Sequence, residues 1–165
     1  MYETESKAKI LVVEDEAYIQ QVLCVYLKYS GFDVCSASNG QEAMRLIPEF
    51  GPHLIVLDLM MQPVDGWEVL NWLRAKRSGG EAPFSAIPVL VLTARTNLTD
   101  QAQGYEAGAI EYMTKPTQPS VLVERIQGIL EMTAEQRASH QRLRVDQQRE
   151  TLERLNAPQT DEFVY

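Results

Sequence analysis

Three short apolar runs and a fourth short strand-like run in this sequence each end in residues able to do chemistry. Ile10-Leu11-Val12-Val13 leads into Glu14-Asp15, Leu54-Ile55-Val56-Leu57 into Asp58, and Val89-Leu90-Val91-Leu92 into Thr93-Ala94. Ile110 to Met113 leads into Thr114-Lys115-Pro116. If these runs are neighbouring parallel strands, one crevice gathers three carboxylates, a hydroxyl and an ammonium at the carboxyl ends. Carboxylates so close repel one another, and like charge alone would raise the pKa of one of them. A hard divalent cation relieves the crowding. Magnesium takes oxygen ligands in an octahedron and keeps several waters. One or two carboxylates and a backbone carbonyl then leave room for a phosphoryl oxygen, which the metal would orient. Asp58, on the central run, is best placed as nucleophile, because a carboxylate can take up a phosphoryl group. Lys115 offers the phosphate a mobile point charge. Thr93 offers a hydroxyl donor, and Ala94 leaves space beside it.

The elements between the runs must hold these residues in register. Ile19, Val22, Leu23, Tyr26 and Leu27 fall on one helical face, which Gly31 ends. A brief strand follows near Val34 and Cys35. Ser38-Asn39-Gly40-Gln41 reads as a capping box, with Ser38 as the cap of a helix running to about Glu49. Asp65-Gly66 introduces a helix carrying Val69, Leu70 and Leu73, with Trp72 off the stripe and expected partly exposed. A long Gly/Pro-rich loop spans Ser78 to Pro88. A helix around Asp100 to Ala107 stops at Gly108, and Pro119 can open another at its first position. Strands apolar on both faces imply a parallel sheet covered on both sides. The expected fold is α/β: a doubly wound, five-stranded parallel sheet, flavodoxin-like, in the order 2-1-3-4-5.

The remainder differs in kind. Thr133-Ala134-Glu135-Gln136 is a second capping box, and the sequence from Ala134 to Leu155 is polar and helix-favouring. The expected organisation is a compact unit over 1–132, a helical extension over 133–157 and a frayed tail over 158–165. Ala138, Val145 and Leu152 recur every seven residues, with Gln141, Gln148 and Leu155 as the companion row: a heptad with a half-polar seam. Two readings stand side by side, a solvated helix that folds back or projects, and a helix that makes a homodimer or binds a partner.

Composition narrows the possibilities. The 165 residues carry 23 acids against 15 bases, a formal charge of −8, which argues against broad binding to nucleic acid; no direct DNA binding is expected. No apolar run approaches the ~18 residues of a membrane span. Met1 to Lys9 is polar and has no signal-peptide core, so a cytoplasmic chain is expected. Cys24 and Cys35 form neither a disulfide framework nor a metal spacing and read as small buried thiols. His53 and His140 have no ligand company. Alone, Glu14-Asp15-Glu16 reads equally as a solvated helix start favoured by the helix dipole; the placing of Asp58, Thr93 and Lys115 selects the site.

The chain resembles a receiver domain of bacterial two-component response regulators, with a C-terminal helical extension and no recognisable output domain. The resemblance rests on Val13-Glu14-Asp15-Glu16, Leu57-Asp58-Leu59-Met60-Met61, Asp65-Gly66, Thr93-Ala94, Gly104, Gly108-Ala109 and Tyr112-Met113-Thr114-Lys115-Pro116 over about residues 7–131. It implies that Asp58 is the phosphoacceptor of a histidine kinase or phosphotransfer protein. It implies Mg²⁺ on Asp15, Asp58 and the Met60 carbonyl, with Glu14 acting mainly through water. It further implies phosphoryl binding by Lys115, a switch pair in Thr93 and Tyr112, and a cis bond before Pro116. Gln62 stands where the family usually has proline, which here comes next at Pro63; Thr117 stands where a bulky apolar residue is common. The implied output is contact between an unknown downstream protein and the last two helices, the fifth strand or the tail. Arg95 and Met60 sit where they could tune phosphate lifetime. Alternatives are a degenerate receiver kept as a scaffold, an aspartyl-phosphate phosphohydrolase, which wants a second acid where Met60 stands, and a flavin module, which the acids after the first strand would repel.

Overall fold

The computed structural model describes residues 5–81, 84 and 87–158. Strands and helices alternate: β1 (Lys9–Val13), α1 (Ala17–Tyr29), β2 (Asp33–Ala37), α2 (Gly40–Phe50), β3 (Leu54–Leu57), α3 (Gly66–Ser78), β4 (Val89–Thr93), α4 (Leu98–Glu106), β5 (Glu111–Thr114), α5 (Pro119–Glu131) and α6 (Ala134–Asn156). All strand pairs are parallel, in the order β2-β1-β3-β4-β5. This is the doubly wound flavodoxin-like sheet expected from the apolar runs.

The two-residue period of the strands divides the core in two. Leu11, Val13, Ile55, Leu57, Val89 and Val91 point to one side, where Ala43 and Ile47 of α2, Val69, Leu70 and Leu73 of α3 and Tyr105 of α4 meet them. Ile10, Val12, Leu54, Val56, Leu90 and Leu92 point to the other, against Leu23 and Leu27 of α1 and Leu122, Val123, Ile126 and Ile129 of α5. Both faces of β3 and β4 are buried, so these strands read as unbroken apolar runs. Trp72 is half-buried, with its ring edge-on to Phe84 at 5.3 Å.

Several local expectations need correction. The cap of α2 is Asn39, not Ser38. Asn39 accepts from the Glu42 amide at 2.9 Å, and the Glu42 carboxylate accepts from the Ser38 amide at 3.0 Å. Asn caps as well as Ser, and Glu42 gains from the helix dipole where Gln41 could not. Helix α4 begins earlier than Asp100, because Asn97 caps it by accepting from the Asp100 amide at 2.7 Å. Val22 is 39% exposed rather than on the buried face of α1. Cys24 and Cys35 are free thiols, half-buried rather than enclosed.

The reciprocal capping box of Thr133 and Gln136 starts α6, which folds back onto the domain. Its half-covered stripe is Arg137, His140, Gln141, Arg144, Val145, Gln148 and Leu152. Of the expected heptad, Gln141, Val145, Gln148 and Leu152 lie on this stripe, while Ala138 and Leu155 near its two ends are exposed. Val145 packs on the core, Gln141 Nε2 donates to the Tyr105 carbonyl at 3.0 Å, and Arg149 pairs with Glu106 at 3.1 Å. The frayed tail expected over 158–165 lies outside the described residues beyond Pro158. Among the described residues, no helix is long and apolar enough to cross a membrane.

Candidate functional site

Register brings the strand-end residues together. Leu57 pairs with Val13 on one side and Val91 on the other, so the residue after β3 opens between the ends of β1 and β4. The Asp58 amide donates to the Val13 carbonyl at 3.0 Å, and the Lys115 amide to the Thr93 carbonyl at 2.8 Å. The loop after β3 is pinned by Gly66, whose amide donates to the Leu59 carbonyl at 3.1 Å. A Cβ on Gly66 would lie 2.2 Å from the Asp58 carbonyl oxygen, so only glycine permits α3 to start this close.

Glu14 and Asp58 are buried, at 2% and 5% exposure, while Asp15 faces solvent beside them. One oxygen from each lies within 4.8 Å of the others. Lys115 Nζ bridges the buried pair, 2.7 Å from Glu14 Oε2 and 2.9 Å from Asp58 Oδ2. The second Asp58 oxygen accepts from the Met60 amide at 3.1 Å, and the Met60 side chain is half-exposed. Burial, then the charge of Asp58, raise the Glu14 pKa against the opposing pull of Lys115. Burial would lower Lys115, but its hydrogen bonds to Glu14 and Asp58 outweigh that and hold it above the usual lysine value. The crevice is therefore short of positive charge. Its all-oxygen donor set suits a hard cation such as a magnesium ion.

Thr93 is fully buried, with Oγ1 accepting from the Arg95 amide at 3.5 Å, and Ala94 is exposed at the rim. The Tyr112 hydroxyl donates to the Arg95 carbonyl at 2.9 Å, and its ring lies against Gly104, where a Cβ would come within 2.9 Å of Cδ2. The Lys115–Pro116 and Gln62–Pro63 bonds are cis. Tyr18, Ile19, Val22, Pro116 and Pro119 line an apolar groove that reaches Lys115.

Sequence reasoning missed a second cluster. Glu111, buried in β5, accepts from the Tyr105 hydroxyl at 3.1 Å. It faces Arg125 at 3.3 Å, Arg144 at 3.6 Å and His140 at 3.9 Å. An acid inside an apolar strand was the available signal. The bases come from α5 and α6, and their convergence has no trace in local spacing.

A doubly wound sheet whose strand ends gather two buried acids, a third acid and one lysine defines a receiver. The response regulator receiver domain family matches residues 10–127, and the chain belongs to that family. It is 42% identical over 122 residues to the alkaline phosphatase synthesis transcriptional regulatory protein PhoP of Bacillus subtilis, covering 74% of this chain and 48% of PhoP. It is 40% identical over 124 residues to the probable transcriptional regulator ycf27 of Porphyridium aerugineum, covering 75% and 48%. The chain thus spans about half the length of the curated relatives it matches. Among solved structures it resembles the Francisella response regulator 1452 receiver domain, with TM-score 0.69, 29% identity and coverage of 76% and 98%. It also resembles the BeF3-activated receiver domain of Klebsiella pneumoniae RstA, with TM-score 0.66, 29% identity and coverage of 75% and 99%. Receivers are signalling switches that pair with histidine kinases, and their acidic cluster is compatible with Mg²⁺.

Proposed function

We propose that this chain is a phosphorylation-dependent switch in which Asp58 accepts a phosphoryl group from a histidine kinase or phosphotransfer protein. The supporting observation is the shared lysine: Lys115 holds Asp58 and Glu14 together at 2.9 and 2.7 Å, in a crevice with surplus negative charge. Glu14, Asp15, Asp58 and the Met60 carbonyl would hold Mg²⁺, which supplies charge neutralisation and orientation of the phosphoryl oxygens when bound. An Asp58 carboxylate oxygen attacks phosphorus; the O–P bond forms, the P–N bond to the donor imidazole breaks, and its electron pair returns to the ring. Lys115 then follows the phosphoryl oxygens as their counter-ion. Thr93 donates its hydroxyl to them, and Tyr112 turns as the Arg95 segment shifts. Hydrolysis of the acyl phosphate resets the switch, with Arg95 and Met60 at the rim setting its lifetime.

The functional unit is 1–132, with 133–157 as an extension and 158–165 as a tail, in a cytoplasmic protein. The relatives are named as transcriptional regulators, and the shared part is the receiver. The net charge of −8 supports output by protein contact rather than DNA binding through this chain. Incubation with acetyl phosphate tests the reading: Asp58 becomes labelled in Mg²⁺, and labelling is lost in chelator and in Asp58→Asn. Undiminished labelling of Asp58→Asn overturns it.

A further inference from the structure

We propose that α6 is an intramolecular latch on the α4–β5 face, and that its docking is coupled to the chemical state of Asp58. The inference rests on the switch reading above and adds a regulatory element to it. Two sets of contacts carry it.

The first set fastens α6. Gln141 donates to the Tyr105 carbonyl, Arg149 pairs with Glu106 on α4, Arg144 reaches Glu111 on β5, and Val145 packs on the core between them. No residue of α6 is fully buried. A 23-residue helix held by a half-covered polar stripe is one whose docking a modest change can shift.

The second set leads from those same anchors to the crevice. Glu111 Oε1 and the Tyr105 hydroxyl both lie within hydrogen-bond distance of the Tyr112 amide, at 3.2 Å each. The Tyr112 hydroxyl is bonded to the Arg95 carbonyl, and the Arg95 amide to Thr93 Oγ1. If Thr93 turns to a phosphoryl group, the Arg95 segment follows and Tyr112 loses its acceptor. The ring occupies the space a side chain at residue 104 would need, since a Cβ on Gly104 would come within 2.9 Å of Tyr112 Cδ2, so the ring packs directly on α4. A shift of Tyr112, which is part of β5 and packs on α4, therefore bears on the two elements that together carry the α6 anchors. The contacts of α6 all belong to the arrangement in which Lys115 holds Glu14 and Asp58. Phosphorylation weakens the latch. By linkage, weakening the latch favours the phosphorylated state by the same factor.

The test uses the full chain. Amide hydrogen exchange of residues 134–156 is followed with and without Mg²⁺ and beryllofluoride, whose binding is measured by calorimetry. Exchange is expected to quicken by about 5-fold or more on binding, and not in Asp58→Asn. In the reverse arm, Arg144→Ala and, separately, Val145→Ser are expected to bind beryllofluoride more tightly by a similar factor; either folded variant suffices. Calorimetric binding with unchanged α6 exchange and unchanged variant affinity overturns the latch and leaves the Asp58 reading intact. Slower exchange on binding overturns it too, as does α6 protection that grows with protein concentration, which would place the helix on a second copy. Failure of Mg²⁺-dependent binding overturns both readings together.

Discussion

Two of the places where the molecule buries acids are provisioned in opposite ways. At the strand ends, Glu14, Asp15 and Asp58 lie together with Lys115 bridging the buried two. Between α4, β5 and α6, the single carboxylate of Glu111 meets Arg125, Arg144, His140 and the Tyr105 hydroxyl. Burial alone does not distinguish them, since Glu111 is 7% exposed and Asp58 5%. Countercharge does. A carboxylate with more bases than it can use is structural, and nothing is gained by changing its charge. Acids that outnumber their cation leave an electrostatic deficit, which a metal or a shift in protonation must fill. The Glu14 pKa is raised first by burial and then by the charge of Asp58, against the pull of Lys115.

The largest break in this comparison comes from removing the bridging lysine. In Lys115→Ala, Glu14 and Asp58 remain buried and like-charged, and urea unfolding in chelator is expected to show a loss of about 3 kcal/mol. Magnesium ion is expected to recover part of it, because the variant's crevice has the greater deficit. An equal loss with and without the ion would remove the distinction between the two clusters.

How much of this was readable in the chain follows from the same contrast. Glu14, Asp58 and Lys115 each stand directly after a strand and Thr93 ends one, so a parallel sheet in the right order delivers them to one place. Topology did the gathering, and topology follows from the run-and-helix alternation. Glu111 sits inside the span Ile110 to Met113, which reads as ordinary strand, and its partners lie on helices far along the chain. The folding back of α6 was one of two readings that the sequence left open. Its covered stripe uses Arg137, His140, Gln141 and Arg144, polar residues that hydrophobic periodicity does not register. The same holds for the α2 cap, where Ser38 and Asn39 are adjacent good caps and the Glu42 carboxylate decides between them.

An intermediate effect is expected at the saturated site. Glu111→Gln keeps a side-chain oxygen for Tyr105 and for the Tyr112 amide but gives up the charge facing Arg125 and Arg144. Arg125 is half-exposed, so water compensates it, and the loss in urea unfolding is expected to be about 2 kcal/mol. Unlike the Lys115 effect, it is expected to be the same in chelator and in magnesium. A Glu111→Gln effect that magnesium alters would mean that the two clusters share one electrostatic balance.

The smallest and most diagnostic change lies between the two regions. Tyr112→Phe removes the hydroxyl bonded to the Arg95 carbonyl, at a cost of about 1 kcal/mol near neutral pH. Its distinctive signature is alkaline. Burial first, then the charge of Asp100, push the Tyr112 pKa up to about 12; burial and then Glu111 do the same for Tyr105. A raised folded pKa means the folded chain keeps the proton after the unfolded chain has released it. The contribution of Tyr112 is therefore complete below about 10, the ordinary tyrosine value, and is lost as pH rises through about 12. Lys115, whose pKa is also raised, is common to both proteins and cancels in the comparison. Across that window the wild type is expected to lose stability more steeply than Tyr112→Phe, by about 1.4 kcal/mol per pH unit. Tyrosinate absorbance is expected to show one fewer late-titrating group in the variant. If instead the curves run parallel, and every tyrosine ionises near its ordinary value, solvent reaches the Tyr112 hydroxyl. The segment joining the deficient crevice to the saturated cluster is then not the closed connection that the Arg95 hydrogen bond describes.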